Sequence, residues 1–419
     1  MKIAIFGNTA GTDFMVQKLL ECDNVEKVYH LHPTPGAFET TRYVPVSHQF
    51  LSIEESKEAT LRFPYDNKVD LIFPMSNHYQ IWSEFYNKMK ASNAALLMPD
   101  RRIGLLEWSK ITGKRFLQEA GIPTPSSKEY TYPELLREFF NIPRPFVLKY
   151  DQDWRAGLQT IIITDDNYDA EFKELAKFGG KRHLDIMGPF RDQKFSVEEY
   201  IEGVREFSYH ALMNDVSWIY LGSARDYKKR YENDRGHNTA GMGSYSPVAD
   251  VNPVIHTYVE KFRQLLKEKG MSYIGFLYLG IMIDKEGNPI VLEINTRPGD
   301  PEIQSIISTI DDNLADLLYA AATNQELKPV TVSDRAAVSI RIVNKEYKLD
   351  IGKDPNQFPQ LWPAVGDIYI QNNTRQGLLC SVITTSANTI EEASDKLYAF
   401  LENKDMGDFD YRKDIGYFK

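Results

Sequence analysis

The fold of this chain is decided by one stretch, Ile290-Val-Leu-Glu-Ile-Asn-Thr-Arg-Pro-Gly-Asp-Pro-Glu302. The stretch begins as an apolar strand and ends in residues that favour a turn. Successive side chains of a strand point to opposite faces, so Val291, Glu293 and Asn295 are predicted to share one face. Glu293 and Asn295 then place a carboxylate and an amide oxygen roughly 7 Å apart along the chain. Two such oxygen donors suit a hard cation such as Mg2+, which shares its coordination with phosphates.

The residues around this stretch predict how the strand is presented. Residues 273–283 form a buried apolar run and residues 286–289 favour a turn. The two strands are therefore predicted to form a hairpin that delivers Glu293. Asp284 lies too near the turn to be counted as a second metal ligand. Beyond the strand, Arg297 supplies a planar cation of the kind that binds a carboxylate or a phosphate.

The composition is that of a globular protein with several domains. A chain of 419 residues is too long for one core, so two to four domains are expected. The net charge of −10 argues against a nucleic-acid-binding surface. The two cysteines, Cys22 and Cys380, indicate neither a disulfide framework nor a zinc site. The sequence shows no signal peptide and no membrane-spanning run, so we expect a cytoplasmic protein.

The first hundred residues alternate strand-like and helix-like segments, which predicts a parallel α/β sheet. Lys2–Phe6 is predicted as the first strand and 13–21 as the first helix. The turn at 7–12 contains Gly7 and Gly11 but no Gly-x-Gly-x-x-Gly, so a dinucleotide-binding dehydrogenase is poorly supported. An anion at the N-terminus of this helix and a turn without a ligand are equally compatible with the sequence.

Three further stretches contain candidates for phosphate chemistry. Residues 106–117 have helical spacing and carry Lys110, and the short apolar run 145–149 ends in Lys149. Taken alone, either lysine is a solvated side chain. Residues 234–247 contain three glycines among small polar residues, which let backbone N–H groups approach an anion. Without further context this segment is a flexible surface loop.

The stretch 290–302 resembles the metal-binding strand of the ATP-grasp ligases. It is most similar to the glycinamide ribonucleotide synthetase family, which carries Glu-Phe-Asn-x-Arg-Phe-Gly-Asp-Pro-Glu-x-Gln there. Residues 236–247 match that family's Gly-Pro-Asn-Thr-Gly-Gly-Met-Gly-Ala-Tyr-Ser-Pro at nine positions. The family's Ser-Lys-x-x-x-Lys-x-Phe and Gly-Ile-Pro-Thr occur between residues 109 and 124, and its closing Tyr-Arg-x-Asp-Ile-Gly occurs at 411–416.

The resemblance implies a multidomain fold of α/β and α+β type. It consists of an N-terminal parallel α/β domain, an ATP-grasp fold with a small lid domain, and a C-terminal α+β domain. The expected ranges are 1–105 for the N-terminal substrate domain, 106–192 for the linker helix and lid, 193–326 for the nucleotide- and metal-binding subdomain, and 327–419 for the C-terminal domain.

The resemblance also implies roles for individual residues at the reacting end of the site. Glu293 and Asn295 would bind the metal, Mg2+ or Mn2+. The catalytic residues would be Arg297, which holds the glycine carboxylate or the transferred phosphoryl group, and Asp300. The residues expected to bind the other substrates are Asn238, Thr239, Gly241, Gly243, Asp300 and Glu302.

ATP would be bound by a second group of residues, Lys110, Lys149, Gly157, Glu198, Glu199, Ile201 and Glu206. The two lysines would reach the phosphates, and Gly157 belongs to a lid loop that closes over them. The backbones of Glu199 and Ile201 would contact the adenine edge. Glu198 would lie by the adenine amino group, and Glu206 by a ribose hydroxyl.

The implied activity is that of an ATP-dependent carboxylate–amine ligase of purine synthesis. Glycine would be activated as an acyl phosphate, and 5-phosphoribosylamine would then form the amide. The implied partners are these small molecules, without nucleic acid or membrane, and the chain would be a monomer or a homodimer.

The sequence departs from the family's pattern in two places. In the lid loop, Leu158 and Gln159 replace the family's Lys-Gly, and Arg155 is the nearest substitute for the lost charge. The first loop, 7–13, and the segment 74–78 lack the family's charged residues. Two alternatives follow: a ligase of the same scaffold that acts on a different amine or amino acid, and a nucleotide-binding protein without catalysis.

Overall fold

The computed structural model describes residues 1–31, 40–46, 53–151, 160–178, 193–345, 365–373 and 380–417. The first unit is a five-stranded parallel sheet with the order β3-β2-β1-β4-β5. Its strands are β1 (Lys2–Phe6), β2 (Lys27–Leu31), β3 (Tyr43–Val46), β4 (Leu71–Pro74) and β5 (Ala95–Leu96). Its helices are α1 (Ala10–Glu21), α2 (Ile53–Asn67), α3 (Asn77–Ile81) and α4 (Ser83–Lys90). The predicted N-terminal parallel α/β domain is confirmed.

The first helix begins at Ala10 rather than at residue 13. Thr9 is its N-cap, and the Thr9 hydroxyl accepts a hydrogen bond from the backbone N–H of Thr12 at 3.2 Å. A capping threonine satisfies a backbone donor of the first turn, so the helix can begin immediately after it. The N-terminus of α1 therefore lies directly after the loop that contains Gly7.

The segment with helical spacing at 106–117 forms two helices rather than one. They are α5 (Arg101–Trp108) and α6 (Lys110–Glu119). Ser109 interrupts them with an extended backbone, and its hydroxyl accepts a hydrogen bond from the Thr112 N–H at 3.0 Å. A serine cap is therefore the physical reason for the break. It places Lys110 at the first position of α6.

The lid unit is a four-stranded antiparallel sheet with the order β6-β9-β7-β8. Its strands are β6 (Ser127–Thr131), β7 (Phe146–Tyr150), β8 (Thr160–Ile163) and β9 (Lys194–Glu199), and its helices are α7 (Tyr132–Glu138), the 3-10 helix Phe139–Asn141 and α8 (Tyr168–Phe178). Strand β9 forms hydrogen bonds with β6 on one side and β7 on the other. The pairing therefore ends the lid after Glu199, whereas the sequence predicted a boundary after residue 192.

The largest sheet is antiparallel, with the order β16-β15-β10-β11-β14-β17-β19-β18 and β20 beside β17. Its strands are β10 (Gly203–Met213), β11 (Trp218–Asp226), β14 (Gly243–Ser246), β15 (Gly275–Asp284), β16 (Pro289–Asn295), β17 (Ala336–Asn344), β18 (Tyr369–Asn373), β19 (Cys380–Ala387) and β20 (Phe409–Asp410). A small hairpin, β12 (Lys229–Tyr231) and β13 (Arg235–Asn238), lies beside it. The helices are α9 (Val254–Glu268), α10 (Glu302–Ile307), α11 (Leu314–Ala322) and α12 (Ile390–Glu402).

The described part of 327–419, predicted to form a C-terminal α+β domain, contains strands and a helix, and its strands extend the main sheet. Strand β14 pairs with β17, and β17 pairs with β19. Among the helices that the structure describes, none is long and apolar enough to cross a membrane.

Strand β16 and its partner β15 form the predicted hairpin, with one irregularity. Gly280 pairs with Glu293 and Ile281 pairs with Val291, so Leu292 is an extra residue in β16. Such a bulge breaks the alternation of faces. The prediction that Val291 shares a face with Glu293 is therefore wrong: Val291 is fully buried in the hydrophobic core together with Ile294.

Candidate functional site

Glu293 lies at the centre of a group of lysines that come from different elements. Its carboxylate is 3.3 Å from Lys110 Nζ of α6 and 4.0 Å from Lys228 Nζ, which follows β11. Burial opposes ionisation of Glu293, but the charges of Lys110, Lys228 and Lys149 outweigh it and hold the pKa of Glu293 well below its usual range. Glu293 is therefore a carboxylate at any working pH.

A second buried carboxylate, Glu198 of β9, bridges two lysines. Glu198 lies 3.0 Å from Lys114 Nζ and 2.9 Å from Lys149 Nζ, and Lys149 also donates to the Leu292 carbonyl at 3.0 Å. All three charged side chains are at most 7% exposed. In the structure the Glu198 carboxylate is bound by two cations, and its position beside an adenine amino group remains a prediction.

No role was predicted for Lys114 or for Lys228 from the sequence. Lys114 is the second lysine of Ser-Lys-x-x-x-Lys, one helical turn after Lys110, so the i, i+4 spacing is the signal that places both on one face of α6. Lys228 lies two residues after the end of β11, and its Nζ binds Glu206 at 2.5 Å. The predicted ribose acceptor, Glu206, is thus paired with a lysine.

The two residues predicted to contact the adenine edge lie where the lid joins the main sheet. The backbone N–H of Glu199 donates to the Ser126 carbonyl at 2.9 Å, and the Glu199 carboxylate accepts from the Ser126 hydroxyl at 2.9 Å. Ile201 is half-buried in the short connection between strands β9 and β10. The adenine contacts of both residues remain a prediction.

Asn295 is the last residue of β16, opposite Tyr278 of β15, and is 8% exposed. Among the hydrogen bonds of the described residues, none involves its side chain, so its amide oxygen has no competing donor there. Glu293 supplies an ionised oxygen two residues earlier. This pair of hard donors fits a magnesium-type cation. In the described ranges no group of three His, Cys, Asp or Glu side chains converges on a common point.

A cleft lies between the linker helices, the lid and the main sheet. The residues that line it are Leu106, Lys110, Gly113, Lys114, Leu117, Lys149, Glu198, Leu292, Glu293 and Ile294. Three lysines from two units of the chain thus face the ionised Glu293, which is an arrangement suited to a polyanion bound together with a cation.

Asp300 joins three parts of the chain. Its Oδ1 accepts from Arg341 Nη2 at 2.7 Å and from Gln304 Nε2 at 2.9 Å, and its Oδ2 accepts from the Gly11 N–H at 3.3 Å. Burial opposes ionisation of Asp300, but Arg341 and these hydrogen bonds outweigh it and lower its pKa. Asp300 therefore links α1, α10 and β17. Sequence spacing gave no sign of Arg341, which lies on β17 of the C-terminal region.

The glycine-rich segment 234–247 is held by hydrogen bonds to other parts of the chain. Asn238 Nδ2 donates to the Thr160 carbonyl at 3.2 Å, and Thr239 donates to the Lys228 carbonyl through its N–H at 2.7 Å and its hydroxyl at 2.9 Å. Gly243 is the first residue of β14. Asn238 therefore connects the segment to the lid strand β8, while Thr239 fixes the backbone beside Lys228.

Gly241 lies against Asp226, a half-buried acidic residue that neighbours the buried Glu302. A Cβ atom at Gly241 would lie 2.6 Å from Asp226 Oδ1 and 2.7 Å from Pro301 Cδ. Burial and the neighbouring charge of Glu302 raise the pKa of Asp226 well above its usual range, and burial raises the pKa of Glu302. Glu302, predicted to bind substrate, therefore lies beside a second carboxyl group that the sequence did not single out.

Replacing Gly241 by alanine is expected to destabilise the protein, because its φ of +94° is in the left-handed region and its Cβ would clash. Gly287 provides a matched control, since its φ is +87° and no atom lies within 4 Å of its Cβ position. Backbone strain is common to both variants, whereas overpacking of about 1–3 kcal/mol is expected only for Gly241→Ala. Urea unfolding midpoints measure the difference, and equal midpoints would contradict the close packing.

One predicted residue lies outside the described ranges. It is Gly157, which the resemblance assigns to a lid loop; Leu158 and Gln159, which depart from the family's pattern, also lie outside the described ranges.

The fold and the site define the chain as an ATP-grasp ligase. A family model described as "Phosphoribosylglycinamide synthetase, ATP-grasp (A) domain" matches residues 108–303. A phosphoribosylamine–glycine ligase from Leptospira interrogans is 30% identical over 353 residues, which are 78% of each chain. The chain belongs to the phosphoribosylamine–glycine ligase family, an amide-forming branch of the ATP-grasp enzymes, as the resemblance predicted.

Solved structures agree with this fold. The crystal structure of a phosphoribosylamine–glycine ligase from Thermotoga maritima has a TM-score of 0.76 and 24% identity, and covers 99% of this chain and 100% of its own. The biotin carboxylase domain of a 2-oxoglutarate carboxylase from Hydrogenobacter thermophilus has a TM-score of 0.68 and 14% identity, with coverages of 98% and 91%. That domain was crystallised with MgADP, ADP and bicarbonate.

Proposed function

We propose that this chain joins glycine to 5-phosphoribosylamine and cleaves ATP to ADP and phosphate, with glycinamide ribonucleotide as the product. The observation that carries the proposal is the cleft in which Lys110, Lys149 and Glu293 converge from the linker helices, the lid and the main sheet. The membership of the chain in the phosphoribosylamine–glycine ligase family supports the choice of substrates.

Lys110, Lys114 and Lys149 are proposed to bind the triphosphate. Three ammonium groups offset part of the charge that builds up as the γ-phosphoryl group is transferred. Glu198 holds Lys114 and Lys149 in place at 3.0 and 2.9 Å, so these two cations are positioned before the nucleotide binds. Closure of the lid is proposed to exclude water from the reaction.

Glu293 and Asn295 are proposed to hold Mg2+ or Mn2+, since one is an ionised carboxylate and the amide oxygen of the other accepts no hydrogen bond from the described residues. When bound, such a cation withdraws charge from the phosphate oxygens. Before the cation binds, Lys110 and Lys228 would offset the negative charge of Glu293.

The proposed reaction has two steps. A carboxylate oxygen of glycine attacks the γ-phosphorus of ATP, and ADP leaves, which gives an acyl phosphate. The amine nitrogen of phosphoribosylamine then attacks the acyl carbon, phosphate leaves, and the nitrogen loses a proton. Arg297 is proposed to hold the glycine carboxylate or the transferred phosphoryl group, and Asp300 to fix the loop around them. Asn238, Thr239, Gly241, Gly243 and Glu302 are proposed to border the substrates.

ATP affinity is expected to fall as the pH rises above about 8. Burial and the charge of Lys149 lower the pKa of Lys114 to about 8, so Lys114 loses its proton, and with it a phosphate-binding charge, as the pH passes that value. If only the protonated lysine binds, affinity falls up to about tenfold per pH unit above the pKa. Calorimetric titration of ATP at pH 7, 8 and 9 measures the slope. Lys114→Met is expected to bind more weakly at pH 7 and to lose the slope; an unchanged slope would contradict the assignment.

The direct test of the function is coupled detection of ADP and phosphate from the purified protein. ATP, Mg2+, glycine and freshly generated phosphoribosylamine are supplied together, each is then omitted in turn, and the product is identified by mass. We expect ADP release to require both co-substrates and to yield an amide. Binding of ATP without turnover of this pair would overturn the proposed substrates.

A ligase of the same scaffold with a different amine is the second candidate. The observation that favours it is the first loop, where the family's charged residues are absent and the Gly11 N–H instead donates to Asp300 at 3.3 Å. In that case the same assay would give ADP release with glycine and another amine. A screen of amines and amino acids distinguishes the two candidates.

A further inference from the structure

The turn after strand β16 is held by a buried carboxylate from outside the main sheet. Glu107 of the linker helix α5 is 5% exposed. Its Oε2 accepts a hydrogen bond from the Thr296 N–H at 2.8 Å, and its Oε1 accepts from Arg297 Nε at 3.0 Å. One side chain therefore binds both residues that follow Asn295.

Gln80 of α3 binds the same turn from the N-terminal domain. Its Nε2 donates to the Thr296 carbonyl at 2.7 Å, and its Oε1 accepts from the Thr296 hydroxyl at 2.5 Å. A Cβ at Gly104 would lie 2.8 Å from the Gln80 Cβ, so α5 packs closely on Gln80. The Thr296 backbone is thus bound at both its N–H and its carbonyl, and the turn has little freedom to move.

The guanidinium of Arg297 is oriented by this arrangement. Nε donates to Glu107, and Nη1 donates to the Pro298 carbonyl at 2.9 Å. Among the hydrogen bonds of the described residues none uses Nη2, and the Arg297 side chain is 30% exposed. A planar guanidinium fixed at two nitrogens can present the third in one direction only, which reduces the ordering needed when an anion binds.

We infer that Glu107 is a positioning residue for the ligase reaction, which fixes the Arg297 guanidinium so that Nη2 faces a substrate carboxylate or phosphoryl oxygen. The inference rests on the proposed function, because that function gives Arg297 an anionic ligand. Glu107 itself does not contact the substrate. Glu107 influences the reaction through its ion pair with Arg297. Its hydrogen bond to Thr296 is a separate, structural contact.

Glu107→Gln separates the two contacts. The amide oxygen of glutamine still accepts from the Thr296 N–H, whereas the charge that binds Arg297 Nε is lost. Glu119→Gln is the matched control, because Glu119 ends the next helix, is 53% exposed and pairs only with Lys269 at 2.7 Å among the described ion pairs.

The first arm of the experiment is independent of activity. Protein labelled with 15N-arginine gives an Arg297 Nε–H resonance, identified by its loss in Arg297→Lys. We expect slow hydrogen exchange of this proton in the unchanged protein and in Glu119→Gln, and fast exchange or loss of the signal in Glu107→Gln. A signal with unchanged position and exchange rate in Glu107→Gln would overturn the inference.

The second arm is a double-mutant cycle in the ligation assay. In the protein that retains Arg297, Glu107→Gln is expected to lower kcat/KM about 10- to 100-fold. In the Arg297→Met variant, the same substitution is expected to lower kcat/KM less than about twofold. Both single variants should change the same parameter, either the KM for glycine or kcat. Independent, multiplicative effects would show that Glu107 does not act through Arg297. If the unchanged protein does not ligate this pair, the proposed function fails, and the resonance still decides the role of Glu107.

Discussion

Replacing Glu293 by glutamine is expected to lower kcat/KM at least about 100-fold, the size of effect that single groups stabilising developing charge reach. The variant keeps the shape of the side chain but removes the charge that faces Lys110 and Lys228 at 3.3 and 4.0 Å. Because these lysines and Lys149 hold the pKa of Glu293 well below its usual range, acidification within the working range cannot remove that charge. The amide is also a weaker ligand for a hard cation.

The measurement is the initial rate of ADP release during a Mg2+ titration, with ATP, glycine and phosphoribosylamine in excess. We expect the half-saturating Mg2+ concentration to rise together with the loss of rate. Glu286→Gln is the control, since Glu286 is exposed in the turn between β15 and β16. Thermal melting checks that both variants fold. Full turnover and unchanged Mg2+ dependence in Glu293→Gln would remove Glu293 from the proposed metal site.

Replacing Glu198 by glutamine is expected to destabilise the protein by about 3–5 kcal/mol, the usual cost of removing one partner from a buried ion pair. The variant leaves Lys114 and Lys149 without their common carboxylate, and both lysines are at most 7% exposed. Relief of this charge by deprotonation would be easiest for Lys114, whose pKa burial lowers to about 8. The destabilisation is therefore expected to be smaller at pH 9 than at pH 7.

In acid the same ion pair is weakened by protonation of Glu198 rather than by deprotonation of a lysine. Burial opposes ionisation of Glu198, but Lys149 and Lys114 outweigh it and lower its pKa. A carboxylate with a lowered pKa in the folded state contributes stability above its unfolded pKa and loses it as the pH falls through its folded pKa. The difference in the free energy of unfolding between the unchanged protein and Glu198→Gln should therefore also become smaller in acid.

Glu199→Gln is the matched control for both pH ranges. Glu199 is the next residue along the strand, but it is exposed, and its carboxylate accepts one hydrogen bond from Ser126 at 2.9 Å. Surface substitutions of this kind usually change stability by no more than about 0.5 kcal/mol. Urea unfolding is followed at about pH 3.5, below the usual glutamate pKa, and at pH 7 and 9. Equal stabilities of the two variants at pH 7 would contradict the role of Glu198 as the anchor of two lysines.

The sequence by itself determined the class of fold and the strand that carries the proposed metal site. Alternating strands and helices predicted the parallel N-terminal sheet, and the apolar run, turn and strand around residues 273–295 predicted the hairpin. These features depend on local periodicity and turn chemistry, which a single segment contains in full. The resemblance of the motifs then identified the family.

Local pattern was insufficient where one residue changes the geometry of a segment. Leu292 is a bulge, so the expected alternation of faces failed between Val291 and Glu293. Ser109 divides one expected helix into two because its hydroxyl caps the second. Both features depend on hydrogen bonds to the surrounding structure, which cannot be predicted from the spacing of hydrophobic residues.

Only the tertiary structure decided the partners of the charged residues. Glu198 came from a strand assigned to another unit, yet it holds lysines of α6 and β7. Arg341 binds Asp300 across 41 positions of sequence, and Glu107 binds Arg297 across 190. The physical reason is that a buried charge must meet an opposite charge or a hydrogen-bond partner, and the fold, not the spacing along the chain, determines which partner is within reach.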